Sequence, residues 1–137
     1  MRPTLDINFL AIIVSVAASM FIGAMWYGPL FGKLWMKEIG YTEEELKKNF
    51  NPAKTYGLTF LGQLAIAFVL SFLIDYINTN SLRGAIFTGF FTWLGFTAAP
   101  MFINFQFSQK SVKLFIIDSF HFLAVILVMS IILTLWV

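Results

Sequence analysis

The chain has 137 residues, of which 59% are apolar and 18% aromatic, with only 12% charged. A soluble domain of this size has too little interior to bury so much apolar surface, which leaves an integral membrane protein as the consistent class. Cysteine is absent, so disulfides, thiolate metal sites and cysteine nucleophiles are excluded together, and the net charge of +2 matters only through its distribution between loops.

After Arg2 and Asp6 the chain runs apolar from Ile7 to Met25, interrupted only by Asn8 and two serines. About 20 residues at about 1.5 Å each cover a hydrocarbon core of about 30 Å. A cleaved signal peptide is the competing reading, but the run is too long, the basic flank is one arginine, and Ile22-Gly23-Ala24 is a poor cleavage site. The sequence therefore predicts a first span over about residues 7–27. Ser15, Ser19 and Gly23 recur every four residues and give it one face narrow enough for another helix to approach closely.

Trp26, Tyr27, Trp35 and, at the far end of the chain, Trp136 read as interface anchors, because aromatic rings settle at headgroup depth. Pro29 and Gly32 are expected to end the first span. Residues 30–51 then form an amphipathic loop: Phe31, Leu34, Trp35 and Ile39 share one helical face, with Lys33 and Lys37 elsewhere, as in a helix lying on the membrane. Gly40 closes that helix, and Thr42 with Glu45 has capping-box spacing for a second short one. Glu43 with Lys47 and Glu44 with Lys48 are favourable pairs four residues apart, so this charge run reads as a solvated face.

Asn51-Pro52 caps a second span over about residues 52–76. Thr55, Thr59, Gln63, Ala67, Ser71 and Asp75 fall at strict steps of four, a polar or small stripe that must face protein or a water-filled crevice, since lipid offers no hydrogen bonds. The polar turn from Asn78 to Ser81 makes the second and third spans an antiparallel hairpin. The third span covers about residues 82–105, and Pro100 inside it predicts a kink with locally exposed backbone oxygens, with Asn104 and Gln106 close by. The fourth covers about residues 112–135 and contains Asp118 and His121. The fold class is thus an all-α integral membrane protein of four transmembrane helices, one domain over residues 1–137, with a cytoplasmic interfacial helical loop between the first two spans.

Orientation follows from the basic residues. The loops joining spans one to two and three to four carry Lys33, Lys37, Lys47, Lys48, Lys54, Lys110 and Lys113, against Arg2 and Arg83 on the other side. By the positive-inside rule both termini lie outside and the long loop is cytoplasmic, in the cell (inner) membrane. A weak internal echo accompanies this: Gly23 to Pro29 and Gly95 to Pro100 each precede a hydrophobic residue, a phenylalanine and a lysine-bearing loop, as two parallel helical hairpins would.

The run from Met25 to Met36, the later Trp93-Leu94-Gly95-Phe96 with Pro100 and Asn104, and Lys113-Leu114-Phe115 followed by His121 resemble the small membrane proteins grouped as domain of unknown function 1761. The resemblance implies a four-helix bacterial or archaeal membrane protein and carries over no activity. Asp118 stands where the family pattern leads to an asparagine, so an acidic role at this position is not general to that family.

Asp118 and His121 are three residues apart and share a helical face. Counting from Lys113, His121 lies about 12 Å into its helix, and counting from Pro52, Gln63 lies about 16 Å deep from the same side. Ionisable groups at such depth are costly without partners and serve proton relays, while the competing reading makes His121 a neutral interhelical hydrogen-bonder with Asp118 at the boundary beside Lys113. Because each is costly alone, Asp118, His121, Asn104 and Gln63 are expected to converge in one intramembrane polar site. No catalytic residue is assigned. One histidine without cysteine makes a zinc or haem site improbable, no glycine loop suggests phosphate, and the dispersed lysines do not fit nucleic acid, so no cofactor, metal or nucleic-acid partner is expected.

Three functions fit. The first is a small permeation or transport protein, expected to be a homo-dimer or other homo-oligomer because four helices enclose little space; its remaining partners are membrane lipids. The second is a structural or partner-binding membrane protein whose polar residues are interhelical glue. The third is a membrane-embedded enzyme or lipid sensor using His121 as a base.

Overall fold

The computed structural model describes residues 7–48 and 50–136; Arg2 and Asp6, which entered the reading of the N-terminal flank, lie outside them. All of its regular elements are helical, and four stretches are long and apolar enough to cross a membrane: Phe9–Leu30, Pro52–Ile77, Leu82–Phe107 and Val112–Leu135.

Asn8 starts α1 (Phe9–Met25) by accepting the Ala11 N–H at 3.1 Å. The helix does not stop at Pro29. It continues as a π turn, Trp26–Leu30, closed by the Phe31 N–H donating to the Trp26 carbonyl at 2.8 Å. In α geometry the proline ring would press on the Met25 carbonyl; a turn wider by one residue relieves that contact, so the span ends only at Phe31. Gly32 opens α2 (Gly32–Ile39), and a Cβ there would sit 2.6 Å from the Tyr27 carbonyl oxygen, so only glycine allows α2 to fold back this tightly. Gly40, at φ +81°, caps α2 in the left-handed region. Thr42 accepts the Glu45 N–H at 3.2 Å to begin α3 (Glu43–Lys48), where Lys47 pairs with Glu43 at 2.9 Å between exposed side chains.

Asn51 caps α4 (Pro52–Ile77) through the Lys54 N–H at 3.2 Å, and left-handed Asn78 ends it. The third span is α5 (Leu82–Trp93), a second π turn (Leu94–Ala98) and α6 (Ala99–Phe107). The kink expected at Pro100 takes the form of this π turn, closed by the Ala99 N–H on the Leu94 carbonyl, which takes up the proline misfit within the helix. Ser111 caps α7 (Val112–Leu135) by accepting the Leu114 N–H at 3.1 Å, and its hydroxyl donates to Glu38 at 2.9 Å, which ties α2 to the start of α7.

Helix α7 is the centre of the molecule: α1, α4 and α5 all pack along it. The second and third spans are consecutive and antiparallel, yet α4 and α5 do not pack along their lengths, because α7 lies between them. Fully buried Ala85 and the bare backbone of Gly89 let α5 approach α7, where the Ser130 hydroxyl donates to the Ala85 carbonyl at 2.7 Å. On the other side Ile12, Val16, Ala67, Leu70, Val125 and Met129 form the apolar core between α1, α4 and α7. Outward-facing Phe21, Leu61, Phe87, Phe96 and Ile103 are left for lipid.

Candidate functional site

On the side that carries α2 and α3, the α1, α4 and α7 spans border an open cavity of about 760 Å³. Asp118 and His121 reach it from α7, Gln63 from α4, and Tyr27 from the π turn that prolongs α1, with Trp35, Phe50 and Tyr56 nearer the loops. Three of the four residues expected to converge therefore line one cavity. Asn104 does not: its side chain is exposed, and its carbonyl accepts the Ser108 hydroxyl at 2.5 Å. The extra residue of the second π turn rotates α6 by about 100° relative to an unbroken helix, and Phe105 faces inward instead.

Tyr27 and Trp26 were expected as interface anchors, and both turn to α7. The Tyr27 hydroxyl donates to Asp118 Oδ1 at 2.6 Å, and the Trp26 indole donates to the Ile117 carbonyl at 2.9 Å. From the opposite flank the Trp93 indole donates to the Ser119 carbonyl at 2.6 Å. Asp118 thus sits between two backbone carbonyls each held by an indole N–H, which fixes the rotation of α7 where its carboxylate enters the cavity. The two tryptophans stand at the start of one π turn and immediately before the other, at the places where the sequence carries its internal echo. Trp35 packs edge-on against Tyr27 with centroids 5.2 Å apart, and Trp136 remains exposed at the far end of α7.

His121 is 6% exposed, and among the described residues neither ring nitrogen has a hydrogen-bond partner. Its ring packs against Tyr27 at 5.0 Å and Phe122 at 4.9 Å. Gln63, also 6% exposed, lines the cavity, and its Oε1 is buried with no hydrogen-bond partner among the described residues. A buried polar group unpartnered by protein costs about 1–3 kcal/mol, so the wall of this cavity contains hydrogen-bonding capacity that the fold itself does not use. Among the described residues no three His, Cys, Asp or Glu side chains are grouped to hold a metal ion.

The four-residue stripe of α4 extends beyond this cavity. Thr55, Thr59 and Gln63 line it; Ser71 and Asp75 line a second cavity of about 480 Å³ at the opposite end of the bundle, with Asn8, Asn78 and Thr134. Ala67, fully buried, lies between them and packs in the apolar core with Val16, Leu70, Val125 and Met129. From Gln63 to Ser71 the axial separation is about 12 Å. Of these residues the partnership of Tyr27 with Asp118 had no signal in the sequence, because the π turn that aims the phenol has none.

Residues 10–134 match the family model described as a protein of unknown function (DUF1761). A UPF0591 membrane protein of Schizosaccharomyces pombe is similar, 25% identical over 104 residues that cover 73% of this chain and 70% of that protein. No solved structure matches the chain. Since the match runs from the first span to the last, through the Trp26-Tyr27-Gly28-Pro29 turn and the Asp118–His121 face, this multi-pass membrane protein belongs to the DUF1761 family.

Proposed function

We propose that this chain is a small transport protein that passes a polar solute along the seam between α1, α4 and α7. One observation carries the reading: a single polar face of α4 lines a cavity at each end of the bundle and is closed between them by Ala67 and the apolar core around it. Two polar vestibules separated by a short dry barrier are what alternating access needs, and a structural protein gains nothing from leaving Gln63 and His121 unpartnered inside a membrane. The first π turn borders the cavity on the loop side through Tyr27 and Gly28, where a helix of altered hydrogen-bond register can bend at small cost. The seam lies within one chain, so the homo-oligomer expected from the sequence is not required by it. In this reading the lysine-bearing end faces the cytoplasm and both termini lie outside, a reading supported by the bias of lysine toward one side of the spans.

The test uses the natural absence of cysteine. Single variants Lys47→Cys, Thr59→Cys, Gln63→Cys, Ser71→Cys and Asp75→Cys are exposed in cells and inverted vesicles to a membrane-impermeant thiol reagent. Lys47→Cys, Thr59→Cys and Gln63→Cys should react from the cytoplasmic face only, and Ser71→Cys and Asp75→Cys from the outer face only. Reaction of Lys47→Cys from outside overturns the orientation. If neither Gln63→Cys nor Ser71→Cys reacts from any side, the vestibules are dry and the transport reading falls.

A further inference from the structure

We propose that the cavity on the loop side takes a membrane-soluble phenol, a hydroxylated aromatic ring on an apolar tail, which enters from the bilayer between α4 and α6. This goes beyond the transport reading and stands on the cavity alone. The first argument is access. Met101 of α6 lines the cavity together with Thr55, Tyr56 and Thr59 of α4, so the space reaches into the gap between these helices, which do not pack along their lengths. Thr55, Tyr56 and Thr59 are exposed, and α4 and the third span both lie outside the central α7, so this gap opens on lipid. The α4 lining from Thr55 to Gln63 extends about 12 Å and begins about one turn after Pro52, which sets the mouth where a lipid head meets its chain.

The second argument is the chemistry of the lining. Asp118 is its one carboxylate, and no lysine or arginine lines the cavity. Lys110, whose charge acts on Asp118 from the turn before α7, rests over the Phe105 ring at 5.0 Å, outside the lining. A phosphate head would therefore meet like charge with no basic group in the wall to receive it. The Tyr27 hydroxyl engages one oxygen of the partly exposed carboxylate and leaves the other to accept. A phenol supplies that donor, stays uncharged at neutral pH as tyrosine does, and its bond to an ionised acceptor is of the stronger kind. The third argument is the aromatic wall. Trp35 stands edge-on to Tyr27 with centroids 5.2 Å apart, and Phe50 edge-on to Tyr56 at 5.9 Å. An edge-to-face pair leaves ring faces unused, and Phe122 adds further aromatic surface, so a flat ring finds partners here that a saturated head does not. A volume of about 760 Å³ holds such a ring with the first part of its tail, and the rest leaves through the gap.

The full chain in phosphatidylcholine nanodiscs is titrated with 4-decylphenol by isothermal calorimetry, with empty discs as the blank. Saturable binding is expected, with 4-decylanisole, which lacks the donor, and hexadecanol, which lacks the ring, each about tenfold weaker or more. The phenol should also slow thiol labelling of Thr59→Cys several-fold and leave that of Lys47→Cys unchanged. Thr59→Trp and Met101→Trp fill the mouth and should each weaken the phenol about tenfold; neither position is buried, so Met101→Trp retains the test if Thr59→Trp fails to fold. Equal binding of phenol and anisole, equal binding of phenol and hexadecanol, or undiminished binding in both tryptophan variants overturns the proposal. Saturable binding of the phenol when neither Gln63→Cys nor Ser71→Cys reacts from any side upholds this site and removes the path. Absence of binding while both cysteines react from their own sides removes the site and leaves the path.

Discussion

Replacing Tyr27 with phenylalanine removes one hydroxyl and little else, and its cost follows from the geometry of the bond it deletes. The phenol donates to Asp118 at 2.6 Å, a length typical of a hydrogen bond to a charged acceptor. Interhelical hydrogen bonds inside membranes average about 0.6 kcal/mol and reach about 1.7, because the unfolded chain in lipid also finds partners. A charged acceptor and a short bond place this one near the top of that range, about 1.5 kcal/mol, or roughly a tenfold change in the unfolding equilibrium. The assay is SDS-driven unfolding in mixed micelles, followed by tryptophan fluorescence, for Tyr27→Phe, Asp118→Ala and the double variant. The two single effects should not add: once Asp118 is gone, Tyr27→Phe should cost less than about 0.5 kcal/mol. Full additivity of the two would refute the pairing, as would a Tyr27→Phe protein as stable as the parent.

The fold around the two π turns makes further outcomes specific. Gly32→Ala places a methyl 2.6 Å from the Tyr27 carbonyl oxygen and should destabilise by about 1–3 kcal/mol in the same assay, since backbone must move. Gly28→Ala, with nothing within 4 Å of the new methyl, should stay within about 0.5 kcal/mol of the parent; a reversed order of the two would contradict the turn. Trp93→Phe keeps most of the ring packing but deletes the indole donor to Ser119, for an expected loss of about 1 kcal/mol and an altered near-UV circular dichroism signal, whereas an unchanged spectrum and midpoint would count against the clamp on α7.

What was legible in the sequence is what depends on local chemistry and length. The cap at Asn51, the closure of α2 by Gly40 and the spans from Pro52 and Val112 follow from residue types that have few alternatives. Depth counting from the helix starts gave Gln63 and His121 compatible depths because an α-helix advances uniformly. Asn104, expected in the same site because a lone polar group is costly in hydrocarbon, faces elsewhere, since a π turn upstream changes which side a residue faces. Pro29 read as a terminator for the same reason: composition announces the proline but not the wider turn that accommodates it. The central place of α7 was also hidden. A helix apolar on every side has no face from which a neighbour can be inferred, and the hairpin rule pairs neighbours in sequence where the protein inserts a later helix between them.

The position of α7 carries a consequence for biogenesis. It is the last of the four spans to be synthesised, yet it supplies the surface on which the other three assemble. Until it enters the bilayer, the indoles of Trp26 and Trp93 lack their carbonyl acceptors, Tyr27 lacks Asp118, and Ala85 and Gly89 have no helix to approach. A chain arrested before Val112 therefore keeps the packing of α1 on α4 but leaves α5 without its neighbour, bearing polar groups that membrane chaperones or the insertion machinery can shield. Assembly of this protein is a late and concerted event in which one helix fills the gap between α4 and α5, and arrested chains should be sharply more sensitive to membrane proteases than chains that extend past Thr134.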